Sequence, residues 1–266
     1  MEQKAKEKEY LSFALDLARD AGAIMRQNFI LGMKKEWKSD GSPLTETDTK
    51  IHGLVSASLT REFPEHALMS EEGDDGRSAH CEYVWVCDPV DGTHNFSHGI
   101  PTATFALALV RNGEPILGVI NDPFMERLFY AQKGAGAFMN DKPIHVSAHT
   151  SVKNTMIGLG KWNDGIANLF PVAEALRNKG VRLVTGLSID YMGALLAAGE
   201  FSAVLFGGKD PHDTVAIKII VEEAGGTATN LFGKNTRYDA AVDGQLASNG
   251  QVHEEILKII AEHGKK

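Results

Sequence analysis

Apolar residues recur every three or four positions over residues 10–29, at Leu11, Ala14, Leu17, Ala18, Ala21, Ile24 and Met25, which predicts an amphipathic helix lying on a core. A second helical pattern starts at Thr45 and runs through Ile51, Leu54, Val55 and Leu59 to about Glu62, where Phe63-Pro64 stops it. The period then shortens. Residues 66–69 and 84–87 are short apolar runs that predict buried strands, and residues 102–111, 115–121 and 127–132 predict three consecutive strands. Asn112-Gly113 is the hairpin signal between the first two, so an antiparallel meander is expected, with turns at residues 133–136 and 140–143. Beyond a polar stretch at residues 147–154, strand and helix patterns alternate. Helices are expected over 163–177, 191–198, 212–224 and 252–262, with Gly225-Gly226 closing the third, and strands over 181–184, 201–206 and 246–247. The change of style predicts an α+β domain over residues 1–147 and an α/β domain over residues 148–266.

Composition narrows the classes of function. A chain of 266 residues, 43% hydrophobic and 23% charged, has the makeup of a soluble globular protein. The net charge of −8 argues against a nucleic-acid partner. Residues 1–9 are charged with no apolar segment behind them, and no run approaches the roughly 18 apolar residues of a membrane span, so the cytoplasm is the expected location. Cys81 and Cys87 lie close together without a metal-type spacing and read as reduced structural thiols.

The candidate chemistry centres on the stretch from Val84 to Phe96. A buried strand runs into Asp88-Pro89-Val90-Asp91-Gly92, and a helix is expected to open at Thr93. Asp88 and Asp91 would offer hard oxygens to Mg²⁺, while the amides of Gly92 and Thr93 would face an anion. The same residues also fit an ordinary turn. Glu71 and Asp213 stand at a strand end and a helix start, where a solvated turn and a helix-dipole charge are the plain alternatives. Brought within a few ångströms, the four carboxylates would repel one another, and a site of two or three Mg²⁺ ions would resolve that repulsion and clamp a phosphoryl group. Asp48 has two readings, because Thr45-Glu46-Thr47-Asp48 also fits a capping box. Enzymes that form an aspartyl-phosphate space two aspartates at i and i+2, whereas here the spacing is i and i+3, which favours an activated water over Asp88 as nucleophile.

Asp88-Pro89-Val90-Asp91-Gly92-Thr93-His94-Asn95-Phe96 resembles the first signature of the inositol monophosphatase family, D-P-[ILV]-D-G-T-x-N-F. Asp213 running on to Glu223-Ala224-Gly225-Gly226 resembles the second, Ser70-Glu71-Glu72 its G-E-E glutamate, and Thr45 to Asp48 its T-x-x-D. The resemblance spans about residues 10 to 260 and implies an α/β (α+β) fold layered as an αβαβα sandwich, with Mg²⁺-dependent hydrolysis of a phosphate monoester. It implies that Glu71, Asp88 and the carbonyl of Val90 bind one metal, and Asp88, Asp91 and Asp213 a second. Asp48 and Thr93, with Glu71, would act on the attacking water, and the amides of Gly92 and Thr93 would hold the phosphate. Asp213 and Phe206 are expected to face the substrate. Two departures bear on substrate choice: His212 stands where the second signature has Trp, and Phe206 stands at the offset where inositol-specific members carry a glutamate. Lys209, Asp210 and His212 are then candidates to contact a different leaving group. The resemblance implies a homodimer acting on a small phosphorylated metabolite. Histidinol phosphate, fructose 1,6-bisphosphate and 3′-phosphoadenosine 5′-phosphate are alternatives to inositol phosphate, and a regulatory binding protein with the same fold is an alternative to an enzyme.

Overall fold

The computed structural model describes residues 2–39, 41–161 and 165–264. Helix α1, Glu2–Asn28, buries Tyr10, Ala14, Leu17, Ala18, Ala21 and Met25 along the stripe set by helical spacing. A small hairpin follows, β1 Lys35–Trp37 with β2 Pro43–Thr45, across a polar connection in which Asp40 lies outside the described residues. Helix α2, Glu46–Glu62, then leads into an eight-stranded sheet. Its strands are β3 Ala67–Ser70, β4 Gly73–Asp74, β5 Tyr83–Asp91, β6 Thr104–Arg111, β7 Glu114–Asp122, β8 Arg127–Gln132, β9 Gly136–Met139 and β10 Lys142–Pro143. The short helix α3, Thr93–Ser97, separates β5 from β6. From β5 to β10 neighbouring strands are sequential and antiparallel, the expected meander, while β3 joins β5 in parallel. Asn112 and Gly113 both take positive φ at the β6–β7 turn, as a tight hairpin requires.

The later part of the chain builds a five-stranded sheet in the order β12-β11-β13-β15-β14. These strands are β11 Met156–Gly160, β12 Arg182–Thr185, β13 Ala203–Phe206, β14 Thr227–Thr229 and β15 Gln245–Ser248. Helices α4 Phe170–Asn178, α5 Ile189–Ala197, α6 Val215–Glu223 and α7 His253–His263 pack on it. The helix expected over 163–177 is therefore shorter; Asn163 lies outside the described residues, and the described part begins at Phe170 with Pro171 in its first turn. The helix expected from His212 starts late too: Pro211–Asp213 is one turn of 3₁₀ helix, and α6 opens at Val215.

The strand period of two sorts side chains into layers. On β5, Trp85 and Cys87 join α1 and α2 in one core, while Val84 and Val86 join a second core with α5 and α6. On β13, Val204 and Phe206 enter that same middle core, while Ala203 and Leu205 face a third with α4 and α7. The order is thus α1/α2, first sheet, α5/α6, second sheet, α4/α7, the αβαβα sandwich. The middle helices are held tightly, since a Cβ on Gly193 of α5 would meet side-chain atoms of Ile217 on α6 at 2.5 to 2.8 Å. Among the described residues no helix is long and apolar enough to cross a membrane.

Candidate active site

Strand β5 does not stop at Cys87 as its apolar run suggests; it continues to Asp91 with an irregularity between Asp88 and Asp91. Asp88 lies opposite Ala106 and Asp91 opposite Thr104, so three steps on β5 match two on β6. That extra residue is a β-bulge, and it restores the two aspartates to one face of the sheet despite their i, i+3 spacing. The chain then turns at Gly92, whose φ of +85° is left-handed backbone suited to glycine, and a Cβ there would meet Cβ of Ser188 at 3.2 Å. Helix α3 begins directly after.

Three further elements bring their carboxylates here. Glu71 leaves the end of β3, Asp213 ends the 3₁₀ turn ahead of α6, and Asp48 sits in the first turn of α2. Oxygens of Asp88, Asp91 and Asp213 lie within 4.8 Å of one another, and ligand atoms of Glu71, Asp88 and His212 form a second such group. A cleft of about 620 Å³ opens over them, lined also by Val90, Gly92, Thr93, His94, Lys161, Lys209 and Asp210.

The hydrogen bonds show what fixes each group. Asp88 accepts from the amide of Val90 at 3.0 Å across the bulge. Oδ2 of Asp91 accepts from the hydroxyl of Ser188 and, at 2.7 Å, from the amide of Asp190, both at the start of α5. Asp48 serves both of its sequence readings. Its Oδ2 accepts from the amide and hydroxyl of Thr45 at 2.8 and 2.5 Å in a capping box, while Oδ1 lies 3.1 Å from the hydroxyl of Thr93. The Thr93 hydroxyl also lies 2.7 Å from the carbonyl of Val90, and with one proton it donates to one of the two at a time.

Electrostatics follow from burial. Asp88, Asp91 and Asp213 are held well above the ordinary carboxylate range, first by desolvation and then by one another and Glu71; Lys161 partly offsets this at Asp213. Burial also raises Asp48 to about 6 against the bonds from Thr45, and it lowers His212. An all-oxygen cluster whose charges repel fits a hard divalent cation, so these acidic residues are positioned to bind metal.

One residue expected to face the substrate, Phe206, sits elsewhere. Phe206 is 2% exposed, and strand alternation turns its ring into the middle core beneath Gly208, which itself lines the cleft. Glu223 of the E-A-G-G stretch accepts from the amides of Gly134 and Gly136 at 2.8 and 2.9 Å, where it clamps the β8–β9 turn. Four residues at the site went unread in the sequence. Lys38 donates to Glu71 at 2.9 Å and to Glu72 at 2.5 Å, Ser188 and Asp190 brace Asp91, and Lys161 lines the cleft and reaches Asp210 at 3.1 Å. Only Ser188 carried a local signal, as the N-cap that opens α5.

A model of the inositol monophosphatase family matches residues 6–265. The chain belongs to that family. As an inositol monophosphatase family member it is a phosphoric monoester hydrolase by membership, and relatives at about 30% identity carry phosphatase names, alongside a Nus factor SuhB of Pseudomonas aeruginosa. It is 30% identical over 253 residues to the fructose-1,6-bisphosphatase/inositol-1-monophosphatase of Thermotoga maritima, covering 95% of this chain and 96% of the relative. It is 31% identical over 253 residues to the histidinol-phosphatase of Chlorobaculum parvum, covering 94% and 96%. The solved structure of the Thermotoga maritima IMPase superimposes with a TM-score of 0.86 at 29% identity, over 96% of this chain and 97% of that one.

Proposed function

We propose that this family member hydrolyses a small phosphate monoester with Mg²⁺, and that its site residues take the following parts. The observation that carries the reading is the buried triad Asp88, Asp91 and Asp213, three carboxylates within 4.8 Å that need cations to remain ionised together. Glu71, Asp88 and the Val90 carbonyl would hold one ion, and Asp88, Asp91 and Asp213 a second, with room for two or three in all. Bound there, Mg²⁺ supplies neutralising charge to the phosphate and makes water more acidic.

The protein's own groups do the rest. Gly92 and Thr93 present amides to the phosphate oxygens at the turn after β5. Thr93 orients the attacking water through its hydroxyl, and the proton passes towards Oδ1 of Asp48. With its carboxyl raised to about 6, Asp48 is a better base near neutral pH than an ordinary aspartate. Water oxygen bonds to phosphorus as the ester P–O bond breaks, and the leaving alkoxide takes up a proton. Lys161 and Lys209, with His212 beside Glu71 and Asp88, line the same cleft and would contact the leaving group.

The relatives' phosphatase names define the substrate test: inositol 1-phosphate, fructose 1,6-bisphosphate and histidinol phosphate, together with 3′-phosphoadenosine 5′-phosphate. Phosphate release from each is measured with and without Mg²⁺. Mg²⁺-dependent release from at least one, lost in Asp213→Asn, is expected. No release from any by folded protein that binds Mg²⁺ would point instead to a binding role. The cytoplasm fits the free thiols of Cys81 and Cys87, and a homodimer would show in light scattering as twice 28.8 kDa.

A further inference from the structure

Asp190, the second residue of α5, is fully buried, and neither of its carboxylate oxygens has a hydrogen-bond partner. Its amide donates to Oδ2 of Asp91 at 2.7 Å, which fixes the residue directly beside the acidic cluster. Asp91 and Asp213 line the cleft and Asp190 does not, so it stands behind them. The charges acting on it are those of Asp91 and Asp213, both acidic; among the described residues no lysine, arginine or histidine offsets it. A carboxylate excluded from water, unbonded and surrounded by like charge has no local compensation from the chain.

We propose that Asp190 is a positioning residue of the cation site. Its negative charge is balanced by the divalent cations that Asp91 and Asp213 hold, and it strengthens their binding from behind without touching substrate. The inference rests on the reading of Asp91 and Asp213 as cation ligands. It also accounts for the placement: the segment that braces Asp91 through Ser188 and the Asp190 amide carries the additional charge on the next side chain.

The test compares Asp190→Asn, which keeps the shape and removes the charge, and Asp190→Ala, which removes the buried polar group, with the natural enzyme. Mn²⁺ binding is followed by calorimetry and electron paramagnetic resonance, and melting is followed in chelator. Both variants are expected to bind Mn²⁺ about tenfold more weakly, the scale of one unit charge acting across a partly shielded few ångströms. Melting in chelator checks that both variants are folded. Unchanged Mn²⁺ affinity in the folded variants overturns the proposal whatever the melting temperatures show, since a purely structural role would leave affinity alone. Asp213→Asn measured alongside separates the two levels. If it too binds Mn²⁺ normally, the cation reading of the cluster fails; if it loses binding and the Asp190 variants do not, only the role of Asp190 fails.

Discussion

Asp48 caps a helix and reaches the Thr93 hydroxyl with the same carboxylate, and the acids around it are defined by how little water and how few cations they meet. This has a pH signature in metal-free protein. Asp91 and Asp213 are raised from the ordinary range to about 7, so in that interval the unfolded chain has released protons that the folded protein still holds. Stability contributed by these groups is therefore greatest at the acidic end and falls as pH rises through the window. In chelator, thermal or denaturant unfolding between about pH 5 and 7 should show the natural protein losing stability relative to Asp213→Asn. Equal slopes for the two would mean the cluster is not coupled as its geometry implies. Saturating Mg²⁺ should flatten the difference, because the cation takes over the role of the protons.

At the scale of elements, the bulge in β5 and the glycine after it set the site. Gly92→Ala should cost about 1–2 kcal/mol for left-handed backbone alone, with more from the 3.2 Å approach to Ser188, measured by urea unfolding. A loss below experimental error would mean the turn can relax without that φ. The same scale shows what a reader of the sequence could and could not see. Helices α1 and α2 were legible because one face of each is apolar at a regular period, and the β6–β8 meander because its strands are apolar runs separated by turn residues. Strand β11 was not, since Gly158 and Gly160 blank out its inward positions; the space is filled by Met192 and Ile189 of α5, whose atoms would come within 2.8 Å of a Cβ there. Strands β1, β2 and β14 are three residues long each, too short to leave a periodic trace. The carboxylates were readable because each follows local turn or capping chemistry. Lys38, Asp190 and Lys161 were not, because what brings them to the site is the packing of distant segments, 33 residues apart for Lys38 and Glu71 and 99 for Asp190 and Asp91.

For the molecule as a whole, the middle helices carry the geometry. Carboxylates from β3, β5 and the turn ahead of α6 converge because α5 and α6 lie between the two sheets and contact both. The contact of Gly193 with Ile217 sets how closely those helices approach. Gly193→Val should push them apart, destabilising the fold by about 1–3 kcal/mol and weakening Mn²⁺ binding although position 193 touches no ligand. Lost stability with unchanged affinity would show that the site tolerates movement of its middle layer. Substrate choice is a property of this scale too, since the cleft is lined both by acids at the ends of β3 and β5 of the first sheet and by Lys161, Lys209 and Asp213 from the segments after β11 and β13 of the second.

The capping box of α2 gives the cleft an outlet on the protein's exterior chemistry. The amide of Thr45 donates to the oxygen of Asp48 opposite the one that meets Thr93, at 2.8 Å. Whatever draws electron density from that carboxylate, or places a proton on it, weakens the hold on this amide, and the first turn of α2 frays a little more often. Deuterium uptake and nitrogen chemical shift at a single backbone position, Thr45, thus become a running meter of what the acid in the cleft is doing, readable without any substrate being turned over.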